Sequence, residues 1–324
     1  MYGYGFGLAR YVEQLVKQLQ KTDKENEYVL FLRKDNFDGV NLTASNFKKV
    51  LADIPWYSWR EQWQFKKLIK KEKVDLMHFP HWNVPLFYSD PFVVTIHDLI
   101  MFHFPRAEAT TLGPFKFWIK DKAHRMVIEN AVKKAKHILA ASEFTKNDVN
   151  KTLGAPLDKM TVIYQAPFVN AELRMQNAEL ILEKYNIDKP YALYVGSAYP
   201  HKNLAGLLKA WKIFEDKYGK KYELVFVGKD SYFYQRLFQS GEARAVKDNF
   251  VFTGLVADDE LRAIYQKASL YVFPSFYEGF GLPPLEAMSY GAPVAASNSS
   301  CLPEVLGEAA WYFDPQNHEQ MADI

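Results

Sequence analysis

The chain has 324 residues, of which 48% are hydrophobic, 16% aromatic and 24% charged, a composition that excludes disorder and collagen-like repetition and suffices for two folded domains. The net charge is +2, but the chain up to Ala166 carries 25 Lys and Arg against 18 Asp and Glu, and the remainder carries 15 against 20, so a basic half precedes an acidic one. This surplus is too small for a dedicated nucleic-acid-binding protein, and no nucleic-acid partner is expected.

Export and membrane insertion are not indicated by the sequence. The single cysteine, Cys301, cannot form an internal disulfide. No charged segment followed by an apolar run resembles a signal peptide, and the uncharged apolar run at 91–97 is far too short to cross a bilayer. We therefore expect a cytoplasmic protein.

The first half alternates between helical and extended patterns. Apolar residues at helical spacing follow a glycine-rich opening and predict a helix over 8–21. Short runs rich in β-branched and aromatic residues predict strands at 28–32, 76–79, 92–96, 137–140 and 160–163. Helical periodicity covers the stretches 58–71, 115–134 and 143–153. Strands that alternate with helices indicate a mostly parallel sheet covered on both faces.

The same alternation starts again after a polar, proline-containing stretch near residue 166. A helix up to 183 is followed by predicted strands at 191–195, 223–227, 250–253, 270–273 and 293–296, and by predicted helices at 204–218, 258–267 and 284–290. We therefore predict an α/β protein with two doubly wound, Rossmann-like domains. Residues 1–168 form the predicted N-terminal domain and residues 169–324 the C-terminal domain.

Both ends of the sequence are abrupt for this architecture. A domain of this kind opens with a strand that leads into the glycine-rich turn, whereas here the glycines at 3, 5 and 7 follow only two residues. Residues 321–324 lie within a helical pattern that has no capping residue. We expect the first strand and the C-terminal helices to be missing, as in a fragment of a longer protein.

The most specific motif is the segment 274–288, PSFYEGFGLPPLEAM. It follows a strand, continues as a glycine-rich loop and enters a helix with prolines in its first turn, which presents backbone N–H groups and the positive end of the helix dipole to an anion. Glu278 lies in the loop and Glu286 inside the helix, so both carboxylates can hydrogen-bond to hydroxyls of one ligand, such as a sugar and a ribose. The alternative is a tight turn with Glu286 on a solvated helix face.

This segment resembles the signature of the retaining GT-B glycosyltransferases, the glycosyl transferases group 1 family, in which seven residues separate two glutamates. The similarity continues through 291–294, 297–298 and 302–305 to 309 and 314–315. The resemblance implies that Glu278 contacts the donor sugar and that Glu286 contacts the ribose hydroxyls. It also implies that four backbone amides meet the donor sugar or its phosphates, those of Gly279, Phe280, Gly281 and Leu282.

A second loop, within 194–204, also joins a strand to a helix. A lysine there can stabilise the negative charge that develops on a phosphate leaving group, although such a lysine can equally be a solvated loop side chain. The loop resembles the diphosphate-binding basic pair of the same family, with Gly196 at the turn, Lys202 as the lysine and His201 where arginine is usual. Ser197 stands where some relatives have a further arginine.

In the first half, His97 and Asp98 follow a buried strand, at the edge where open α/β sheets bind ligands. A histidine in such a place is more often a packed or capping residue than a catalytic one, but the family resemblance implies that His97 lies near the donor sugar and helps to orient it and the acceptor. Asp98 either orients His97 or caps the following turn.

Two other segments of the first half resemble parts of the family. Gly5 and Gly7 resemble its glycine-rich loop, which contacts the donor phosphates and the acceptor; a dinucleotide-binding turn is the alternative, but the acidic residue that it needs downstream is not evident. The segment 142–148 follows a strand, and Ser142 is the predicted N-cap of a helix. This segment matches one common in the family, and we assign to it a structural role or a place in the lining of the cleft.

His78 and His81 suggest a metal site, but the proline between them gives poor zinc geometry and no further ligands cluster nearby in the sequence. The sequence also lacks the Asp-x-Asp motif with which the other main glycosyltransferase fold binds a divalent ion. We therefore expect metal-independent chemistry and no cofactor.

A lysine-rich stretch, with lysines at 66, 67, 70, 71 and 73, lies close to aromatic residues at 56, 57, 59 and 63. Most such runs are solvated helix faces. The alternative is a peripheral contact with an anionic membrane, at its inner face, where a lipid-linked acceptor would be presented.

The resemblance implies a GT-B architecture, in which an acceptor-side N-terminal domain and a donor-side C-terminal domain face each other across a cleft. It also implies transfer of a hexose from a nucleoside diphosphate sugar to a hydroxyl of a carbohydrate or lipid-linked acceptor, with retention, in polysaccharide or glycolipid synthesis. The combined segments HDL, HKN and EGFG are most similar to bacterial polysaccharide mannosyltransferases, which favours GDP-mannose as the donor. Two alternatives remain open: a sugar-nucleotide epimerase or hydrolase of the same fold, and an inactive fragment that retains only nucleotide binding.

Overall fold

The computed structural model describes residues 7–105, 114–167 and 178–324. The chain divides into two compact units. The first comprises the residues up to His97 with Phe115–Ala141 and Lys146–Ile163, and the second comprises Asp98–Pro114, Ser142–Thr145 and Tyr164–Ile324. The predicted domain boundary between residues 168 and 169 falls outside the described residues and stays a prediction.

The first part of the chain forms short parallel strands joined by helices. In chain order these elements are α1 (Leu8–Thr22), β1 (Tyr28–Leu32), α2 (Lys34–Phe37), β2 (Phe47–Leu51), α3 (Lys66–Lys71), β3 (Met77–Phe79), β4 (Phe92–Ile96), α4 (Ile100–His103), α5 (Pro114–Lys134), β5 (His137–Ala140), α6 (Glu143–Leu153) and β6 (Met160–Val162). Strands β1 and β2 pair with each other, and β3 to β6 form a second sheet in sequence order; all pairs are parallel.

The second part of the chain forms one larger sheet. Its elements are α7 (Ala178–Lys184), β7 (Tyr191–Val195), α8 (Leu204–Tyr218), β8 (Glu223–Val227), α9 (Tyr232–Phe238), α10 (Gly241–Ala245), β9 (Phe250–Gly254), α11 (Asp258–Lys267), β10 (Leu270–Phe273), α12 (Leu282–Ser289), β11 (Val294–Ser297), α13 (Leu302–Leu306), β12 (Trp311–Phe313) and α14 (His318–Asp323). The strand order is β12-β11-β10-β7-β8-β9, and every pair is parallel.

This order confirms the predicted doubly wound arrangement of the second half. The chain builds outward from β7 to β9, then returns to the other side of β7 and builds outward from β10 to β12. The order therefore reverses between β7 and β10, which is the position where open α/β sheets bind ligands. The central strands are buried along their length, as shown by Leu193, Phe226 and Tyr271 with no exposed surface, and this agrees with helices on both faces.

The structure differs from the predicted elements in the stretch 58–71. It is not one regular helix: the wider helical turn Glu61–Phe65 precedes α3. Tyr57, four residues before this turn, has a left-handed backbone with φ of 56°, and its N–H group donates to the buried carboxylate of Glu61 at 2.7 Å. This local geometry depends on a side-chain contact that apolar periodicity does not report.

The sequence patterns also missed short elements. Strand β2 was not predicted because Lys48 and Lys49 interrupt its apolar run, and its only strand partner among the described residues is β1. Helix α12 begins two residues before the predicted start at 284, because Gly281 takes the N-cap position with φ of 91°. None of the helices in the described ranges combines the length and the apolar character needed to cross a membrane.

Candidate active site

Two loops of the second unit meet where its strand order reverses. The β7–α8 loop (residues 196–203) and the β10–α12 loop (residues 274–281) leave the carboxyl ends of neighbouring strands. The N–H group of Phe276 donates to the carbonyl of His201 at 2.8 Å and joins the two loops. The topology of the sheet therefore brings together two segments that are far apart in sequence.

Lys202 and Glu278 form an ion pair in these loops. The Lys202 Nζ donates to Glu278 Oε1 at 2.6 Å, and the two side chains are only 16% and 9% exposed. The ammonium also lies 5.3 Å from the ring centre of Phe273. Because little water surrounds the pair, its charges act on a neighbouring ligand through a lower dielectric than at the open surface.

The turn after β7 depends on close approach between backbones. Gly196 donates its N–H group to the carbonyl of Val227 at 2.9 Å, and its own carbonyl accepts from the Tyr234 hydroxyl at 2.9 Å. A Cβ atom on Gly228 would lie 2.1 Å from the Gly196 carbonyl oxygen. The loops after β7 and β8 can therefore pack this closely only with glycine at 228.

The β10–α12 loop is anchored just before α12 begins. The N–H group of Glu278 donates to Ser300 Oγ at 3.0 Å, and Ser300 itself has a left-handed backbone with φ of 56°. Gly281, at the N-cap of α12, has no side chain with which to cap the first turn, so the amides around Leu282 can meet an anion. Ser300 was not among the predicted site residues. It lies 22 positions from Glu278 in the sequence, and only the fold brings the two residues into contact.

Glu286 and His201 occupy different surroundings. The half-buried Glu286 lies near Tyr271, whose pKa is raised chiefly by burial and further by the charges of neighbouring groups, Glu286 among them. The Tyr271 hydroxyl donates to the carbonyl of Val195, at the end of β7, at 3.3 Å. His201 is buried, and its ring lies 5.9 Å from that of Tyr199.

In the first unit, His97 is held in one tautomer. Its Nε2 lies 2.9 Å from the carbonyl oxygen of Pro80, which can only accept, so the neutral ring carries its proton on Nε2, and Nδ1 is its acceptor atom. The ring packs edge-on against Tyr11, with 4.8 Å between centroids. Burial lowers the pKa of His97, and the hydrogen bond to Pro80 opposes this shift.

The two histidines of the suspected metal motif lie near His97. Burial, and then repulsion from His97, lowers the pKa of His78 to about 4 and that of His81 to about 3. His78 Nε2 is 2.8 Å from the hydroxyl oxygen of Thr95. In the described part of the chain, no set of three His, Cys, Asp or Glu side chains is arranged to hold a metal ion.

The remaining predicted residues have simpler roles in the structure. The carboxylate of Asp98 accepts from the N–H group of Ile100 at 2.9 Å and so caps the following turn. The predicted cap at Ser142 is confirmed, since its Oγ accepts from the N–H group of Thr145 at 3.0 Å. Gly7, with φ of 57°, directly precedes α1. Gly5 lies outside the described residues.

Known protein families match both halves of the chain. Residues 7–166 match the family described as Glycosyltransferase Family 4, and residues 177–324 match the family described as Glycosyl transferases group 1. The predicted resemblance to the second of these families is therefore confirmed.

Relatives of known name match over most of the chain. It is 30% identical to O-antigen chain mannosyltransferase B of Escherichia coli, covering 96% of this chain and 84% of the relative. It is 31% identical to O-antigen chain mannosyltransferase RfbU of Salmonella typhimurium, covering 85% and 71%.

A solved structure has the same fold. The sucrose-phosphate synthase of Thermosynechococcus elongatus superimposes with a TM-score of 0.71 at 20% identity, covering 98% of this chain and 82% of that one. The predicted GT-B fold of two Rossmann-like domains is thus confirmed. Since the family matches and the relatives agree, the chain belongs to the glycosyl transferases group 1 family and is a glycosyltransferase.

Proposed function

We propose that the chain is a retaining, metal-independent mannosyltransferase that transfers mannose from GDP-mannose to a hydroxyl group of a carbohydrate or lipid-linked acceptor in polysaccharide or glycolipid synthesis. The observation that carries the proposal is the contact between Lys202 and Glu278, at 2.6 Å, where the strand order of the second sheet reverses. The names of the two relatives, both O-antigen chain mannosyltransferases, support mannose as the sugar and a polysaccharide as the product.

Each group of the site has a part in the proposed reaction. Lys202 stabilises the negative charge on the leaving diphosphate, together with the amides of Gly279 to Leu282 at the start of α12. Glu278 accepts hydrogen bonds from hydroxyls of the sugar, and Glu286 accepts them from the ribose. Because Lys202 and Glu278 already restrain each other, both side chains lose little conformational entropy on binding the donor.

The proposed chemistry needs no nucleophilic carboxylate. The bond between the sugar C1 and the β-phosphate oxygen breaks while the acceptor oxygen bonds to C1 on the same face, and the acceptor proton passes to the departing phosphate oxygen. The products are the glycoside with retained configuration and a nucleoside diphosphate. In this proposal His97 orients a sugar hydroxyl through Nδ1, the acceptor atom of its neutral ring.

Transfer from GDP-mannose to an acceptor, with and without chelator, tests this function. We expect a product with the configuration of the donor, formed at a rate that the chelator does not change. Lys202→Ala should lower kcat by about 10²–10³, the loss typical of removing one group that stabilises transition-state charge. Glu278→Ala should lower transfer by a similar factor, because it removes hydrogen bonds to the sugar and leaves the ammonium of Lys202 without its partner. Lys247→Ala, which removes an exposed lysine just before β9 and therefore at the opposite edge of the sheet, is the matched control and should retain activity.

The outcome separates the proposed function from its alternatives. Wild-type rates in both site variants would refute the site, and inverted products would refute retention. Release of free mannose, or an epimerised sugar nucleotide, without any acceptor would instead identify a hydrolase or an epimerase. Transfer only from UDP- or ADP-sugars would retain the reaction and reject GDP-mannose.

We also propose that the first unit contacts an anionic membrane. The contact surface consists of four aromatic residues, Trp56, Trp59, Trp63 and Phe87, and of the lysines that follow the three tryptophans in the sequence. All four side chains are exposed, Trp59 by 80%, and the rings of Trp63 and Phe87 stack with centroids 5.3 Å apart. Lysines 67, 70, 71 and 73 follow and are exposed. Exposed tryptophans beside lysines suit the interface of a bilayer with anionic lipids.

Sedimentation with lipid vesicles tests the membrane contact. We expect binding to vesicles that contain phosphatidylglycerol, and weaker binding to pure phosphatidylcholine or at high salt. Trp59→Ser should weaken binding, whereas Trp311→Ser, which removes a 60% exposed tryptophan of the second unit, should not. Equal binding by both variants would contradict the proposed surface.

A further inference from the structure

Two hydroxyl groups at the start of α6 hold the β10–α12 loop by one carbonyl group. Ser142 Oγ donates to the carbonyl oxygen of Gly279 at 2.7 Å, and Thr145 Oγ1 donates to the same oxygen at 3.1 Å. Both side chains have no exposed surface. The two hydroxyls therefore supply one hydrogen bond to each lone pair of the carbonyl of a buried residue.

The segment that carries these hydroxyls is itself fixed. The two carboxylate oxygens of Glu304, on α13, accept from the N–H groups of Glu143 and Phe144 at 2.7 and 2.8 Å. A carboxylate at the N-terminus of a helix is favourable because it compensates the helix dipole and the unpaired amides there. Residues 142–145 thus form a rigid support rather than a loose loop.

Fixing the carbonyl of Gly279 also fixes the N–H group of Phe280. The two groups belong to one planar peptide unit, and in a trans peptide they point in opposite directions. Glycine tolerates a wide range of backbone angles, so without a hydrogen-bonded carbonyl this unit could rotate and turn the N–H group away. The hydroxyls of Ser142 and Thr145 therefore act on the direction of an amide that they do not touch.

We propose that Ser142 and Thr145 are positioning residues for donor binding, which hold the Phe280 amide directed toward the diphosphate sugar. The inference rests on the proposed function, which assigns this amide to the donor. It gives the segment 142–145, which has no part in the proposed chemistry, a defined effect on donor affinity.

Conservative variants at Thr145 isolate this effect. Thr145→Val removes the hydroxyl while keeping the shape of the side chain, and Thr145→Ser keeps the hydroxyl. Ser142→Ala removes both a donor to Gly279 and the helix cap, so its matched control is Ser240→Ala, which removes only the cap of α10. The comparison within each pair separates the hydrogen bond to Gly279 from packing and from capping.

The readouts are the KM and kcat for GDP-mannose and the hydrogen exchange of the amides at 277–282. We expect Thr145→Val and Ser142→Ala to raise the KM about tenfold, the effect of losing one hydrogen bond to an anionic ligand. The kcat should change little, because the amide meets donor and transition state alike. Amides at 277–282 should exchange faster in both variants, while Thr145→Ser and Ser240→Ala should resemble wild type.

The inference and the proposed function fail in different ways. If wild type transfers mannose and Thr145→Val has an unchanged KM, the inference is overturned and the proposed function stands. A lower kcat at unchanged KM, with a lower Tm, also overturns it, since loss of folded protein alone has that signature. If wild type transfers from none of GDP-mannose, UDP-glucose and ADP-glucose, the proposed function and the donor assignment fall together.

Discussion

The two units of the molecule present their polar groups in opposite states. In the second unit, Lys202 and Glu278 are charged partners at 2.6 Å, beside a six-stranded sheet at the point where its order reverses. In the first unit, His78, His81 and His97 are held neutral, since burial lowers the pKa of all three. At these positions, the second unit offers a pair of charges and the first unit offers uncharged donors and acceptors.

This difference indicates what each unit can recognise. An ammonium in a poorly hydrated place stabilises an anion strongly, because few water molecules screen it. A neutral imidazole contributes little to binding an anion, but it orients a hydroxyl group well through one donor and one acceptor. We therefore expect the binding of a diphosphate to depend on Lys202 and not on His97, whose neutral ring can act only on a hydroxyl group.

The largest expected effect on stability concerns the close packing of Gly228 against the turn after β7 in the second unit. Gly228→Ala would place a Cβ atom 2.1 Å from the Gly196 carbonyl oxygen, which also accepts from Tyr234. A backbone clash of this kind should cost about 3 kcal/mol or more in the free energy of unfolding. Chemical denaturation measures the change.

The matched change in the first unit should be much milder. Gly154→Ala, where φ is 68° and nothing lies within 4 Å of the new Cβ, should cost only about 1 kcal/mol for the left-handed backbone. Equal losses at both positions would show that the turn after β7 is not as tightly packed as its geometry indicates.

The next effect tests the division between charge and hydroxyl recognition. Lys202→Gln should weaken binding of GDP about 10-fold to 100-fold, because a charge-assisted contact with phosphate is lost. His97→Asn should leave GDP affinity within about twofold, since a neutral ring contributes no charge. Calorimetric titration of GDP into both variants measures this. A larger loss in His97→Asn than in Lys202→Gln would reverse the comparison.

The site of the second unit could be predicted from the sequence because its groups lie in two continuous loops. Lys202 follows one strand and Glu278 follows another, and any parallel sheet of this order brings those loops to the same edge. The residues that hold these loops in place could not be predicted in this way. Ser300 contacts Glu278 across 22 positions, and Ser142 contacts Gly279 across 137.

The first unit shows what local patterns leave out. The predicted helix over 58–71 contains the wide turn Glu61–Phe65, and the left-handed Tyr57 directly precedes the predicted range. That geometry depends on the buried Glu61, which accepts from Tyr57 and from the side-chain amide of Asn83. The tautomer of His97 likewise follows from the carbonyl of Pro80, a group that every residue carries and that no sequence motif marks.

Acid should destabilise the first unit through its neutral histidines. In the unfolded chain they bind protons with a pKa near 6.5, whereas in the folded chain the pKa of His78 is about 4 and that of His81 about 3. At pH values between the folded and the unfolded pKa, the unfolded state therefore binds more protons than the folded state. The free energy of unfolding has its full value above about pH 6.5 and decreases as the pH falls. The loss at pH 4.5 should be roughly 2.5 kcal/mol per histidine.

Denaturation at several pH values checks the sign and the source of this loss. His81→Asn removes one of the titrating groups, so the slope of stability against pH between 4.5 and 6.5 should become shallower by up to one proton. A slope identical to that of wild type would show that His81 is protonated in the folded state, and the neutral character assigned to the first unit would be wrong.

The smallest effect concerns Thr95, a buried residue that links His78 and Tyr11. Its hydroxyl oxygen lies 2.8 Å from His78 Nε2 and 3.4 Å from the Tyr11 hydroxyl. Thr95→Val keeps the shape but removes these hydrogen bonds, and should cost about 1 kcal/mol in the free energy of unfolding, while Thr95→Ser should restore most of it. GDP affinity should be unchanged in both variants, because no charge is altered. A fall in GDP affinity in Thr95→Val alone would mean that the neutral network of the first unit contributes to diphosphate binding, and the separation of charge from hydroxyl recognition would not hold.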